Sequence, residues 1–198
     1  MEIELKNISK KYGDKQVLEN VSMTFSEGIT SVMGASGIGK TTLVNIIAGL
    51  VKPDSGSIIG VDDKKISIVF QEDRLLDWET SLGNVLFVTK SANDYTEKAR
   101  ELLIKAGLGD SINIKASKLS GGMRRRVCLC RALIAEYDLL ILDEPFKGLD
   151  SGTKPGIMEM VRKYALGDLQ NDGNEKIVIC ITHDRTEADF LGGRLVEI

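Results

Sequence analysis

The sequence is poor in cysteine: its 198 residues include three, Cys128, Cys130 and Cys180. They form neither a paired disulfide framework nor the C-x-x-C pair that is typical of zinc and redox sites. Isolated cysteines of this kind are typical of reduced, buried thiols, which behave as small apolar side chains. We therefore expect a protein of a reducing compartment such as the cytoplasm.

Long apolar runs are also missing. No apolar segment reaches the roughly 20 residues that a membrane-spanning helix needs. The start of the chain, MEIELKNISKKYG, alternates charged and apolar residues, whereas a signal peptide has a basic head and an apolar core. If the protein works at a membrane, we expect another chain to span it.

Charge of one sign is not in large excess. Lys and Arg total 26 and Asp and Glu total 29, which gives a net charge of -3. This balance argues against nucleic acid as a partner held by electrostatic attraction. A chain of 198 residues with 42% hydrophobic residues is expected to fold as one globular domain around a substantial core.

The order of apolar patterns predicts an α/β fold. Apolar segments between turn residues predict strands at 3–5, 17–25, 29–33, 57–60 and 66–70. Apolar residues at helical spacing predict helices at 40–50, 96–106 and 121–135. The nearly continuous apolar runs at 138–142 and 176–181 are typical of strands buried on both faces of a parallel sheet. The middle of the chain is predicted to be an inserted helical lobe, and 167–174 has the composition of a loop.

A glycine-rich segment from Gly34 to Thr41 matches G-x-x-x-x-G-K-[ST] and lies between a predicted strand and a predicted helix. Its glycines allow the backbone N–H groups to wrap around an anion at the positive end of the helix. Lys40 would add a charge at the β- and γ-phosphates, and Thr41 would offer a hydroxyl to Mg²⁺. The predicted nucleotide-binding residues here are Gly34, Ala35, Ser36, Gly37, Ile38, Gly39, Lys40, Thr41 and Thr42.

Two adjacent carboxylates, Asp143 and Glu144, follow the apolar run LLIL. Carboxylates at the end of a buried strand beside a phosphate-binding loop are suited to ATP hydrolysis, which needs positioning and charge neutralisation. We expect Asp143 to hold Mg²⁺ through water. Glu144 is expected to orient or deprotonate the attacking water.

A third motif, Leu119-Ser-Gly-Gly-Met123, lies between the first two and starts a predicted helix. It resembles the signature sequence L-S-G-G-Q of the ABC ATPase family, with Met123 in the last place. In that family this segment completes the nucleotide site of the opposite subunit. The resemblance implies that Ser120, Gly121 and Gly122 bind the ATP held by a second copy of the chain. A helix start with these amides is also physically suited to an anion.

Other positions match the family one by one. Tyr12 resembles the aromatic residue that stacks on adenine, and Gln71 the glutamine that contacts Mg²⁺ and the attacking water. The segment 148–150 resembles the loop by which the two monomers touch. His183, the single histidine in the sequence, resembles the histidine that senses the γ-phosphate. The implied catalytic set is Lys40, Gln71, Glu144 and His183, and the implied metal set is Thr41, Gln71 and Asp143.

The resemblance covers nearly the whole chain and implies one ABC ATPase domain over residues 1–198. This fold has a P-loop NTPase (RecA-like) core, an N-terminal antiparallel β subdomain and a helical subdomain inserted at about 72–136. It further implies ATP and Mg²⁺ as cofactors, a homodimer on ATP binding, transmembrane permease subunits and a separate substrate-binding protein. The chain would then lie in the cytoplasm, peripherally on the inner face of the cell membrane.

The segment 69–78, VFQEDRLLDW, resembles the importer ATPases of nitrate, sulfonate, taurine and pyrimidine-precursor systems. Those proteins commonly have a proline before the tryptophan, where this chain has Asp77. The favoured function is the ATP-hydrolysing subunit of a bacterial importer. Two alternatives stay open, namely the ATPase of an exporter and a soluble ATPase of iron-sulfur assembly.

Overall fold

The computed structural model describes residues 1–167, 169 and 175–198, which contain eight strands and six α-helices. The strands are β1 (Glu2–Tyr12), β2 (Lys15–Ser26), β3 (Gly28–Met33), β4 (Ser55–Ile59), β5 (Ile66–Val69), β6 (Leu139–Asp143), β7 (Ile177–Ile181) and β8 (Arg194–Glu197). The helices are α1 (Lys40–Ile47), α2 (Ser81–Leu86), α3 (Ala92–Lys105), α4 (Gly121–Ile134), α5 (Lys154–Tyr164) and α6 (Arg185–Leu191).

The centre of the fold is a five-stranded sheet in the order β5-β6-β7-β3-β8, with every pairing parallel. All residues of β6 and β7 are buried, as expected for strands that are covered on both faces. Alternate residues of these strands join different apolar clusters, because successive side chains of a strand point to opposite faces. Leu140 and Leu142 belong to one cluster, and Leu139 and Ile141 to the other.

One face of this sheet is covered by α1 and by a second, antiparallel sheet in the order β2-β1-β4. Ile3, Leu5 and Phe25 of the second sheet are fully or almost fully buried in this cluster, together with Leu43 and Ile47 of α1. The packing fixes α1 directly behind the end of β3. The loop that joins β3 to α1 therefore lies at the carboxyl edge of the parallel sheet.

The other face carries α3, α4 and α5, whose buried side chains form the larger cluster. Between β5 and β6 the regular structure is entirely helical within the described residues. Helix α4 is exposed at its start, Gly121, and buried against the core at its end, Ile134. It therefore connects the helical part of the chain to the sheet.

The predicted α/β class with an antiparallel β part is confirmed, while several boundaries were wrong. Strand β1 continues seven residues past the predicted 3–5. Its second half is polar, but its backbone pairs with β2 as far as Tyr12, with register shifts along the way. Helix α1 ends at Ile47 instead of residue 50, and α3 starts at Ala92 instead of residue 96. The predicted loop at 167–174 lies outside the described residues apart from 167 and 169.

Elements α2, α5, α6 and β8 were not predicted. Helices α2 and α6 have six and seven residues, which are too few for buried positions to repeat at helical spacing. They are stabilised by Thr80 and Asp184, whose side chains accept hydrogen bonds from N–H groups of the first turn. The three cysteines are free and buried, as predicted. Among the described residues, no helix is both long and apolar enough to cross a membrane.

Candidate nucleotide site

A cavity of about 560 Å³ opens at the carboxyl edge of the parallel sheet. Segments that follow β3, β5, β6 and β7 all reach it, since the carboxyl ends of adjacent parallel strands meet at one edge. The sequence-predicted residues that line it are Tyr12, Ser36, Gly37, Gly39, Lys40, Thr41, Thr42, Gln71, Asp143, Glu144 and His183. The structure therefore brings together side chains that are more than 170 positions apart in the sequence.

The loop between β3 and α1 needs glycine at its last position. Gly39 has a φ of 109°, and a Cβ there would lie 2.7 Å from the carbonyl oxygen of Val17. Lys40 is buried, and its Nζ donates hydrogen bonds to the carbonyls of Gly34 (2.7 Å) and Ala35 (2.9 Å). The lysine thus holds the loop curled over the start of α1, with an ammonium group at its centre. Ile38, in the same loop, is 41% exposed and does not line the cavity.

Thr41 and Asp143 connect the loop to the sheet. Thr41 Oγ1 donates a hydrogen bond of 2.9 Å to Oδ2 of Asp143, the last residue of β6. Burial raises the pKa of the Asp143 carboxyl, although the Thr41 hydrogen bond and nearby cationic groups oppose this effect. A hydroxyl and a carboxylate oxygen therefore lie side by side on the cavity wall.

Glu144 lies among cationic and titratable groups. Its Oε2 forms an ion pair of 2.8 Å with Lys147 Nζ, and its Oε1 lies 3.4 Å from His183 Nδ1. Burial alone would raise the pKa of the Glu144 carboxyl, but Lys147 and His183 outweigh it and hold this pKa below its ordinary value. The carboxylate is therefore ionised and available as an acceptor.

Gln71 and His183 lie beyond their strands instead of at their ends. The predicted end of the first strand, residue 70, was one residue too late, and the predicted end of the second, residue 181, is confirmed. Strand β5 ends at Val69 and β7 at Ile181, so each side chain is two residues past the regular pairing. Both residues are exposed, with 66% of the His183 side chain accessible. Tyr12 is 51% exposed at the end of β1 and stands at the rim of the same cavity.

Ser120, Gly121 and Gly122 do not line the cavity. Ser120 is the N-cap of α4, and its Oγ accepts a hydrogen bond from the N–H of Met123 at 3.3 Å. Ser120 and Gly121 are exposed. A Cβ on Gly122 would lie 3.3 Å from the carbonyl oxygen of Gly148, so this helix start packs against the predicted monomer-contact loop 148–150. The structure therefore places a second, exposed helix start away from the cavity on the same chain.

Sequence reasoning missed four lining residues, Lys15, Val17, Lys147 and Ile181. Lys15 is paired with Tyr12 across the β1–β2 hairpin, and its position could have been inferred from the turn at 13–14. Lys147 lies three residues after Glu144, a spacing that permits the observed ion pair. The contribution of Ile181 depends on strand order, which the sequence does not reveal.

Comparison with known protein families decides the assignment. A family model described as "ABC transporter" matches residues 18–147, about two thirds of the chain. The chain belongs to the ABC transporter family. It is the ATP-binding subunit of such a transporter, an ABC ATPase that binds ATP and hydrolyses it.

Several ATP-binding proteins of transport systems resemble this one over nearly its whole length. The bicarbonate transport ATP-binding protein CmpD of Synechocystis is 39% identical over 210 residues, which cover 97% of this chain and 72% of CmpD. The aliphatic sulfonates import ATP-binding protein SsuB 1 of Rhodococcus jostii is 38% identical over 199 residues, covering 98% of this chain and 78% of that protein.

Solved structures of an ABC cassette have the same fold. The dimeric structure of MJ0796, a bacterial ABC transporter cassette, superposes with a TM-score of 0.84 at 33% identity and covers 99% of this chain and 94% of that one. A dimeric post-hydrolysis state of MJ0796 bound to ADP and Pi gives 0.82 at 32% identity, with the same coverage. The ABC type of fold that the signature motif predicted is therefore confirmed.

The Gly39→Ala variant of the ABC ATPase is expected to bind ATP about tenfold more weakly or worse. The new Cβ would collide with Val17, whose strand borders the cavity, and α1 would have to move away from the loop. Isothermal titration calorimetry with ATP measures the change. Gly49→Ala is the matched control, since Gly49 lies just after the other end of α1 with a φ of 71° and no atom within 4 Å of a Cβ. An unchanged affinity in Gly39→Ala would contradict the role of this loop.

Proposed function

We propose that this ABC ATPase energises import across a membrane by closing two copies of itself around two MgATP molecules and reopening them after hydrolysis. The observation that carries the proposal is the separation of two sites on one chain. The cavity holds the phosphate loop, Asp143 and Glu144, while Ser120 presents a second helix start elsewhere. Each chain would then supply two half-sites.

The phosphates would be held by the loop 34–39 and by the first N–H groups of α1, where the helix end carries partial positive charge. Lys40 would exchange its two carbonyl acceptors for phosphate oxygens, since a charged oxygen is the stronger acceptor. Tyr12 at the rim is placed to stack on the base, with Lys15 beside it.

The residues at the bottom of the cavity fit Mg²⁺. The Thr41 hydroxyl and the Asp143 carboxylate are adjacent hard oxygen donors, and Gln71 lines the same wall. Mg²⁺ takes few protein ligands of this kind and keeps several waters. Bound there, it would neutralise charge on the phosphate oxygens. Thr41 and Gln71 would be direct ligands, and Asp143 would act through water.

Glu144 would act as the base. In this scheme a water oxygen attacks the γ-phosphorus, the bond to the β–γ bridging oxygen breaks, and ADP leaves with that electron pair. The Glu144 carboxylate, ionised as described, accepts the proton of the water. His183, 3.4 Å from Glu144, would contact the γ-phosphate, and Gln71 would orient the water.

A membrane partner would bind the segment that follows Gln71. Trp78 and Phe87 lie in this segment with 68% and 69% of their surface exposed. Buried Asn84 shapes it by bonding to the main chain of Leu76 in both directions, at 2.8 and 3.0 Å. Large exposed aromatic side chains on a positioned loop are suited to a protein interface.

Import is favoured over export by the relatives, since SsuB is an aliphatic sulfonates import protein and CmpD serves bicarbonate transport. The segment 69–78 supports the same class of importer. Asp77 replaces the usual proline there, and its carboxylate accepts a hydrogen bond of 2.7 Å from Arg124 of α4. The ion pair between Arg124 and Asp77 thus restrains the loop at the position where a proline ring would have restricted the backbone.

The Glu144→Gln variant is expected to bind MgATP with normal affinity and to hydrolyse it about 10²–10⁴-fold more slowly, because the amide cannot accept the proton. It should also accumulate as a dimer with MgATP, as seen by size-exclusion chromatography with light scattering. Glu159→Gln, an exposed carboxylate paired with Arg162, is the control and should behave as wild type. A monomer at saturating MgATP would contradict the proposed dimer.

Transport direction is tested in cells that carry the wild-type or the Glu144→Gln chain. Uptake of labelled bicarbonate or of an alkanesulfonate is expected to fall with the variant. Greater retention of a labelled compound by the variant cells would instead support an exporter. Normal transport combined with failing iron-sulfur enzymes would support the assembly alternative.

The Ser120→Arg variant is expected to keep the ATP affinity of one chain, since Ser120 does not line its own cavity, and to lose most hydrolysis. Loss of the helix cap should cost about 1 kcal/mol of stability, which a thermal unfolding curve would report separately. Ser57→Arg, on the exposed β4 strand, is the control for the added charge and bulk. Equal losses of binding and hydrolysis in Ser120→Arg would assign Ser120 to the nucleotide site of its own chain and contradict the proposal.

A further inference from the structure

Arg125 is a buried arginine whose guanidinium is directed at main-chain carbonyls. It is 3% exposed, and its Nη2 donates to the carbonyls of Asp143 (2.7 Å) and Glu144 (2.6 Å). Its Nε donates to Pro145 (3.1 Å) and its Nη1 to Phe70 (2.5 Å). A buried guanidinium is costly unless its donors are satisfied, so these four contacts are a structural requirement of the site.

Two of the acceptors flank the Cα of Glu144. The carbonyl of Asp143 belongs to the peptide group before this Cα, and the carbonyl of Glu144 to the peptide group after it. Holding both peptide groups fixes φ and ψ, and therefore the direction in which the carboxylate leaves the backbone. This constraint matters here because Glu144 has a φ of 47°, in the left-handed region that L-residues seldom occupy.

The same guanidinium also holds the segment after β5. Phe70 directly precedes Gln71, so the hydrogen bond to its carbonyl fixes the peptide group from which Gln71 begins. Arg125 Nη1 lies 3.6 Å from the Asp73 carboxylate on the other side of Gln71. One side chain therefore constrains the backbone of both residues proposed to act on the attacking water.

Arg125 belongs to α4, five residues after its N-cap Ser120, a separation of about 7.5 Å along the helix axis. The helix that begins in one nucleotide half-site is thus fastened to the two loops of the other half-site. A shift of α4 along its axis would change the hydrogen bonds at Arg125 and so move the backbone of Glu144 and Gln71.

We propose that Arg125 is a positioning residue that links the two half-sites of the chain: it orients Glu144 and Gln71 and couples their placement to the start of α4. This inference rests on the proposed function, in which Glu144 is the base and Ser120 serves the opposite nucleotide. Arg125 does not line the cavity and is buried within the chain, so it would contact neither nucleotide.

The test compares Arg125→Met and Arg125→Lys in the full chain, by steady-state hydrolysis and by equilibrium binding of MgATP. Arg125→Met has similar length and no donors, so kcat is expected to fall about 100-fold while the ATP dissociation constant changes less than about threefold. Arg125→Lys keeps the charge and up to three donors and should recover part of kcat. Arg131→Met is the control: it is on the same helix and donates to the single carbonyl of Arg74.

A combined variant separates positioning from a general loss of structure. Because Arg125 is proposed to act through both Glu144 and Gln71, adding Arg125→Met to a chain that carries Glu144→Gln and Gln71→Ala should slow hydrolysis no further. A further multiplicative loss would overturn the inference, as would a kcat of folded Arg125→Met within twofold of wild type. If Arg125→Met does not fold, Arg125→Lys decides, with about a tenfold lower kcat expected and an unchanged kcat contradicting the inference.

Failure of the inference is distinguishable from failure of the proposed function. If Glu144→Gln keeps its kcat, the assignment of the base is wrong whatever Arg125 does. If Glu144→Gln is inactive and the Arg125 variants are fully active, only the positioning role is wrong.

Discussion

The parallel pairing of β5, β6, β7 and β3 is the constraint on which the rest of the site depends. Because these strands run in one direction and lie side by side, four segments distant in sequence end at one edge of the sheet. The segments after β5, β6 and β7 then need only one or two further residues to deliver a functional group, and the segment after β3 forms the loop 34–39. The hydrogen bond between Thr41 and Asp143 joins the loop after β3 to β6 within this arrangement.

Charged side chains of this cavity already have partners within the chain before a phosphate binds. Lys40 is satisfied by carbonyls of its own loop, and Glu144 is paired with Lys147. These contacts are individually replaceable, because the acceptors of Lys40 are neutral and the Glu144–Lys147 pair is partly exposed. A phosphate would therefore replace existing interactions of Lys40 without rebuilding the fold around it.

The helical part of the chain depends on the same edge. Helix α4 carries an N-cap at Ser120 and a buried cation at Arg125, and the main-chain carbonyls at the ends of β5 and β6 accept from that cation. If the proposed function is right, a chain built this way presents two unlike half-sites whose relative placement is set by one helix. The dimeric MJ0796 cassette, with TM-scores of 0.84 and 0.82, indicates that this fold is compatible with pairing of two chains.

The sequence was most informative where one local pattern has a single physical explanation. The spacing of Gly34 to Thr41 predicted the phosphate loop, and the apolar runs before Asp143 and His183 predicted the buried strands, with errors of no more than one residue at either end. Short elements such as α2 and α6 lack a full helical period and depend on tertiary contacts. Arg125 escaped prediction because its partners are main-chain carbonyls, which have no side-chain pattern in the sequence.

The most direct test of two half-sites on one chain is cross-linking between single-cysteine variants. Ser36→Cys and Ser120→Cys are each introduced into the Glu144→Gln chain and treated with a short bis-maleimide with and without MgATP. The native thiols are buried, and burial raises the pKa of Cys128 to about 12, so they should not react. A cross-linked dimer that requires MgATP and forms only when the two variants are mixed is the expected result. Cross-linking within either variant alone, or equally without MgATP, would contradict the account.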